Sequence, residues 1–186
     1  GLTDAGQIDR LTTGHAPARD ILMPVVDGLM AEYPHVNIEI SVDHRLVDLV
    51  NEGVDCAVRI GELADSSLVS VRLGDMRRVI VASPEYLIRH GTPQKVEELA
   101  RHACLSLGQQ RGWTLRVAGN GQGIPGQGTQ VIKVGGRFEC NDGAVLRDWA
   151  LAGRGLAWRS WWEVGEDALA GRLVTVLDEY AAPPLG

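Results

Sequence analysis

The sequence predicts an α/β fold in two lobes, on three observations. Over the first 60 residues, strand-like and helix-like stretches alternate, the order that gives a parallel sheet covered by helices. A second strand–helix set occupies residues 104–177. Between the two sets, Gly74 separates a pair of strand-like segments, a natural place for the chain to cross between lobes.

The elements follow in order. Residues 8–11 form a short strand, trailed by Thr12-Thr13-Gly14-His15. Hydroxyls and a glycine between a strand and a helix make either a polar pocket lip or a helix cap. Ile21, Leu22, Val25, Val26, Leu29 and Met30 then recur at helical spacing. Pro24 falls early in that stripe and is expected to kink it, and Tyr33-Pro34 ends it. Val36, Ile38, Ile40 and Val42 alternate with polar residues, as in a half-buried strand. Asp43 can cap the next helix, whose face carries Leu46, Val47, Leu49 and Val50. Gly53 follows the last periodic residue, where a left-handed turn costs least without a Cβ. Val54-Asp55-Cys56-Ala57-Val58 is short, mostly apolar and β-branched at both ends, the pattern of a buried parallel strand. It stops at Arg59-Ile60-Gly61. Ligands of open α/β sheets gather beyond the carboxyl ends of strands, so Arg59 reads either as a ligand contact or as a solvated strand end.

Residues 62–67 form a polar turn, and residues 68–73 and 78–82 read as strands. Ser83-Pro84 is an N-cap and first helical position for a helix ending at Gly91, and Thr92-Pro93 opens another through Leu99. Residues 104–107 and 113–117 are strand-like. The glycine-rich tract 119–128 tempts a phosphate-loop reading. However, it contains a proline and runs into a β-like segment at 130–134 instead of a helix, which favours a hairpin connection. Residues 137–140 form a strand that stops at Asn141-Asp142-Gly143, either of the first two capping a helix that ends near Gly153. Residues 155–158 are strand-like, Ser160 and Glu163 have capping-box spacing for a helix ending at Gly171, and 173–177 is a last strand.

Composition narrows the function. The net charge of −6 and the lack of a Lys/Arg cluster argue that this piece does not bind nucleic acid by itself. Three cysteines, Cys56, Cys104 and Cys140, lie far apart without metal-ligand spacing, which suggests reduced, buried thiols and a cytoplasmic setting. No leader or membrane-length apolar run is visible, and no metal or cofactor is expected. The chain begins mid-pattern and ends on Pro183-Pro184-Leu185-Gly186, which reads as a piece of a longer protein. No nucleophile elbow, zinc motif, Cys-x-x-Cys or Walker sequence occurs, and the five histidines are scattered, which weakens an enzyme reading.

The run from Val47 to Val69, including Asn51-Glu52-Gly53-Val54-Asp55 and Arg59-Ile60-Gly61-Glu62, closely resembles the effector-binding domain of LysR-type transcriptional regulators. Further matches are Ala82-Ser83-Pro84-Glu85-Tyr86-Leu87, Arg89-His90-Gly91-Thr92-Pro93, Asn141-Asp142-Gly143-Ala144-Val145-Leu146, Ala152-Gly153-Arg154-Gly155-Leu156 and Gly171-Arg172-Leu173-Val174. They run in the family's order over nearly the whole chain. The resemblance implies two Rossmann-like lobes of the type II periplasmic-binding-protein kind, with a ligand cleft between them. On that pattern lobe I comprises residues 7–74 plus 178–186, incomplete at its C-terminus, and lobe II residues 75–177.

The resemblance further implies an effector held by Thr12 and Thr13, by Asp43 and His44, by Arg59, Ile60, Gly61 and Glu62, and by Asn141 and Asp142. A small anion is expected, a carboxylate first and an amino acid second. Helix N-termini offer free N–H groups to such a ligand, while Asp43, Glu62 and Asp142 would oppose it. The expected partners are a second copy, giving a homodimer, a tetramer in the full-length protein, and DNA only through a winged helix-turn-helix absent from this chain. Where the family often has an apolar run and a proline, this chain has Trp158-Arg159-Ser160-Trp161-Trp162, whose bulk bears on the cleft. The alternatives are a solute-binding protein of a transporter and a small enzyme on the same fold.

Overall fold

The computed structural model describes residues 8–13, 21–42, 53–59, 68–74, 76–108, 112–118 and 125–182. The chain divides into two compact units, residues 1–61 and 62–186.

The first unit is built on three parallel strands, β1 (Ile8–Thr13), β2 (Asn37–Val42) and β3 (Cys56–Val58), in the order β2-β1-β3. Helix α1 (Met23–Glu32) connects β1 to β2. Pro24 sits in its first turn, where a missing N–H costs nothing, so the proline starts the helix and does not kink it as the sequence suggests. Leu22 and Val26 are buried and Leu29 half-buried, whereas Ile21, Val25 and Met30 of the same apolar stripe are exposed. The start of β3 is clamped reciprocally: Arg10 N–H donates to Asp55 Oδ2 (2.9 Å), and Asp55 N–H donates to the Arg10 carbonyl (2.9 Å). Gly53 adopts φ +64°, the left-handed turn expected of it.

The second unit carries a five-stranded mixed sheet of order β10-β4-β9-β5-β8. Its elements are β4 (Arg78–Ala82), α2 (Pro84–His90), a 3-10 turn (Val96–Arg101), β5 (Cys104–Leu107), β8 (Glu139–Cys140), α3 (Gly143–Leu151), β9 (Leu156–Ser160), α4 (Trp161–Leu169) and β10 (Val174–Val176). Strands β9, β5 and β8 run parallel, while β4 is antiparallel to both β9 and β10. β6 (Gly112–Val117) and β7 (Pro125–Lys133) form a separate antiparallel pair, so the glycine tract does lead into a hairpin and not a phosphate loop.

The alternation of β4 shows how the sheet is covered. Ile80 and Ala82 join one apolar cluster with Tyr86, Leu99, Leu115, Val176 and Tyr180, beneath the hairpin. Val79 and Val81 join a second with Leu105, Leu146, Ala157 and Val164, beneath α3 and α4. With both faces covered, β4 reads as a continuous apolar run. Caps fix the helix ends: Ser83 Oγ accepts from Tyr86 N–H (3.1 Å), and Gly91, Gly153 and Gly171 take positive φ after α2, α3 and α4.

Several expectations need correcting. Thr12 and Thr13 are the last two residues of β1 and not a loop after it, because β-branched threonine suits a strand paired on both sides. Residues 68–73 form no strand among the described residues; Val69, Val71 and Leu73 stand exposed with no ladder to join. The capping box at Ser160 does not form, because the Glu163 carboxylate turns to Arg159, four residues earlier. Cys56 is exposed, not buried, at the open start of β3, although Cys104 is fully buried and Cys140 partly so. Residues 178–182, assigned with 178–186 to the first lobe, pack on the second unit. Tyr180 completes the cluster under the hairpin there, and Ala181 bridges Leu115. The helix expected over residues 43–52 lies outside the described residues.

Candidate functional site

In each unit, parallel strands end along one edge, and the expected site residues fall there. In the first unit, Thr12 pairs with Ser41 and Ala57, and Thr13 with Val42 and Val58. Both threonines are fully buried, and neither Oγ1 has a hydrogen-bond partner among the described residues. A buried, unpaired hydroxyl costs about 1–3 kcal/mol, so two adjacent ones call for an explanation. Successive side chains of a strand face opposite sides, so the two hydroxyls serve opposite faces of β1. Half-buried Arg59 follows β3 directly, one residue beyond the partner of Thr13. Three expected contacts thus share the carboxyl edge of this sheet. Asp43, His44, Ile60, Gly61 and Glu62 lie outside the described residues.

In the second unit, β5, β8 and β9 end at Leu107, Cys140 and Ser160, and helices α3 and α4 start at that edge. Asp142 caps α3: its Oδ1 accepts from Ala144 N–H (2.9 Å), and its own N–H faces Cys140 Sγ (3.5 Å). Its carboxylate is therefore engaged by its own helix, while neighbouring Asn141 is exposed and open to a ligand.

The sequence reading missed the charged groups of this edge. Buried Arg159 holds Glu163 through Nε (2.9 Å) and Nη2 (2.7 Å). Its guanidinium lies so close to Gly143, the first residue of α3, that a Cβ there would overlap it. Arg78 stacks on Trp158, 4.5 Å from the ring centre, and exposed Arg77 stacks on Trp161 at 5.2 Å. Burial lowers the Arg78 pKa and the nearby Arg159 charge lowers it further, partly offset by attraction to Glu163. The available signal was the departure Trp158-Arg159-Ser160-Trp161-Trp162, read for its bulk when its arginine mattered as much. Among the described residues, no group of three His, Cys, Asp or Glu is placed to hold a metal ion. No helix of the described residues is long and apolar enough to cross a membrane.

Comparison with known proteins places this geometry. The model of the LysR substrate binding domain matches residues 6–185. The HTH-type transcriptional regulator DmlR of Escherichia coli K12 is 35% identical over 190 residues, covering 98% of this chain and 59% of the relative. The solved structure of CrgA, a LysR-type transcriptional regulator from Neisseria meningitidis, superposes with a TM-score of 0.83 at 31% identity. That match covers 96% of this chain and 60% of CrgA. The full-length Vibrio cholerae virulence activator AphB superposes with a TM-score of 0.84 at 29% identity, over 97% of this chain and 60% of AphB. The chain spans between half and three fifths of the curated relatives' lengths.

Proposed function

The chain belongs to the LysR substrate-binding-domain family, and from that premise we propose that it is the ligand-sensing part of a bacterial transcription regulator. A small effector binds between the lobes of the fold and favours one lobe arrangement over another. It shifts that equilibrium only by its differential affinity for the two. The shift changes how protomers pack, as a homodimer and then a tetramer, and so how DNA-binding domains outside this chain are spaced. Such a regulator works in the cytoplasm, and the reading assigns the chain no catalytic step. The named relatives are transcriptional regulators, and nothing here favours a transporter's solute-binding protein or an enzyme.

The observation that carries the proposal is the pair of buried, unpartnered hydroxyls of Thr12 and Thr13 at the carboxyl edge of a parallel sheet. Because the two hydroxyls face opposite sides of β1, an effector at that edge supplies the missing hydrogen bond of one of them, and the two valine substitutions tell which. Asp43, His44, Arg59, Ile60, Gly61, Glu62 and Asn141 complete the proposed contact set, with Asp142 positioning the helix N-terminus. The effector is a carboxylate, with an amino acid as the second choice.

A thermal-shift panel of carboxylates, amino acids, amines and sugars tests this, since a ligand that binds the folded state raises its Tm. Thr13→Val keeps the shape and removes the hydroxyl. It should leave the unliganded Tm unchanged or higher while weakening binding about tenfold, roughly 1.4 kcal/mol. If Thr12→Val and Thr13→Val both bind the panel's best compound like wild type, the proposed site is wrong.

A further inference from the structure

Tyr86 of α2 is buried, and its hydroxyl lies where the 3-10 turn meets β5. Ala103 N–H donates to that oxygen (3.0 Å), and Nδ1 of His102 stands 2.9 Å from it. The Ala103 carbonyl in turn accepts from Leu156 N–H (2.8 Å), where β5 joins β9. Gly155 lies so close to this carbonyl that a Cβ would overlap it. Ala103 is thus held to β9 on one side and to α2 on the other, the second hold being the Tyr86 hydroxyl.

Counting protons gives the direction of the Tyr86–His102 bond. A hydroxyl has one proton to donate. Ala103 N–H is itself a donor, so among the described residues the acceptor for that proton is His102 Nδ1. Were Nδ1 protonated, the Tyr86 oxygen would face two donors, and its own proton would be buried without an acceptor, at a cost of about 1–3 kcal/mol. Neutral His102 therefore carries its proton on Nε2, and the bonds run from Ala103 through Tyr86 to His102. A second proton on the ring can go only to Nδ1, the atom that is accepting.

We propose that the Ala103–Tyr86–His102 relay is an acid-sensitive tie: protonation of His102 reverses its last bond and loosens α2 and the 3-10 turn from the amino end of β5. The tie belongs to the second unit alone and stands apart from the effector-sensing reading.

The neighbouring elements carry charges of both signs. On α2, the His90 ring lies 4.6 Å from the Tyr86 ring between centres, with exposed Glu85 and Arg89 beside it. The 3-10 turn and its cap carry Lys95, Glu97, Glu98 and Arg101. The turn after β10 carries Asp178, Glu179 and the buried Tyr180 phenol, and the loops beside Ala103 carry exposed Arg137 and Arg154. On β5, burial pushes the Cys104 thiol up to about 12, so it stays neutral. For His102 itself, burial and then repulsion from His90 lower the pKa, against attraction to Glu98. A histidine lowered in the fold contributes its full stability above the ordinary value of about 6.5. That contribution is lost as pH falls from there through the lower folded value.

Histidine nitrogen NMR of the 186-residue chain tests the polarity directly. At about pH 7.5, Nδ1 of His102 should be the bare nitrogen and Nε2 the protonated one, and the ring should titrate below about 6.5. Amide exchange, corrected for its intrinsic pH dependence, reads the consequence. Protection of the Ala103 amide should fall about tenfold between about pH 7.5 and pH 5 in the wild type. It should stay level in His102→Gln, whose side-chain carbonyl accepts from Tyr86 without titrating. Tyr86→Phe should raise the His102 titration, since Nδ1 loses its donor; if that variant does not fold, the wild-type spectra and His102→Gln decide without it. A proton on Nδ1 of the neutral ring overturns the proposal, as does a titration at or above about 6.5 or one left unmoved in folded Tyr86→Phe. Ala103 protection that holds level in the wild type, or falls as far in His102→Gln, overturns it too.

Discussion

Asp167 joins two elements and a loop of the second unit. Its carboxylate, almost wholly buried, accepts from Arg147 Nε on α3 (2.7 Å) and from Arg172 Nε after α4 (2.8 Å). Burial alone would raise its pKa, but the two guanidinium hydrogen bonds outweigh it and hold the carboxyl below its ordinary range. A carboxylate whose folded pKa is depressed contributes its full stability above the unfolded value of about 3.9. That contribution is lost as pH falls through the lower folded value. Asp167→Asn should therefore cost about 1–2 kcal/mol at pH 7, since Arg147 and the half-exposed Arg172 regain water when the carboxylate is lost, and the cost should shrink as pH falls below the ordinary carboxylate range. Urea unfolding at pH 7 and at pH 2 checks this, and an equal loss at both would refute it. The contact was not legible in the sequence, because residues 147 and 167 are brought together by packing and no local spacing marks them. The caps at Ser83 and Asp142 were legible, since a cap is a contact between near neighbours.

At the scale of elements, what the chain can show is local preference, and what it hides is the partner. Alternation over 68–73 reads as a strand, yet a strand needs a ladder, and none is present for it among the described residues. Ser160 and Glu163 have the spacing of a capping box, but Arg159 offers Glu163 a charged partner in a buried place, and the cap loses. The same arginine crowds Gly143. Glycine within a helix normally costs about 1 kcal/mol relative to alanine, so alanine should help where there is room. Gly28 in α1 has nothing within 4 Å of a Cβ position, and Gly28→Ala should stabilise α1 by about 0.5–1 kcal/mol. At Gly143 the Cβ would overlap a guanidinium that Glu163 holds in place, so Gly143→Ala should destabilise by about 1–3 kcal/mol. Amide-exchange protection of α1 and α3 reads the two changes separately; equal effects of the same sign would contradict the proposed packing.

For the molecule as a whole, alternating periodicity anticipated a parallel sheet in the first unit and a second strand–helix set, but not the β2-β1-β3 order or the antiparallel strands of the second sheet, which depend on pairings between distant segments. The pairing of two copies is a different matter, and the two helices with apolar stripes, α1 and α3, differ in what they leave exposed for it. The apolar face of α3 is spent on its own core, with Leu146 and Ala150 fully buried. On and just before α1, Ile21, Met23, Val25 and Met30 are 41%, 47%, 56% and 50% exposed, a concentration of large apolar side chains that a soluble surface seldom leaves uncovered. Symmetric pairing of a patch with its own copy is the commonest way to bury one. We therefore propose that the homodimer forms through α1, while α3 contributes at most its half-buried Val145 and Trp149. Light scattering at tens of micromolar, about the range where a micromolar Kd is saturated, should report a dimer. Val25→Glu with Met30→Glu should shift it to monomer without unfolding the chain, because both side chains are already exposed. A dimer that survives the double substitution places the interface elsewhere, and a monomeric wild type removes the proposal.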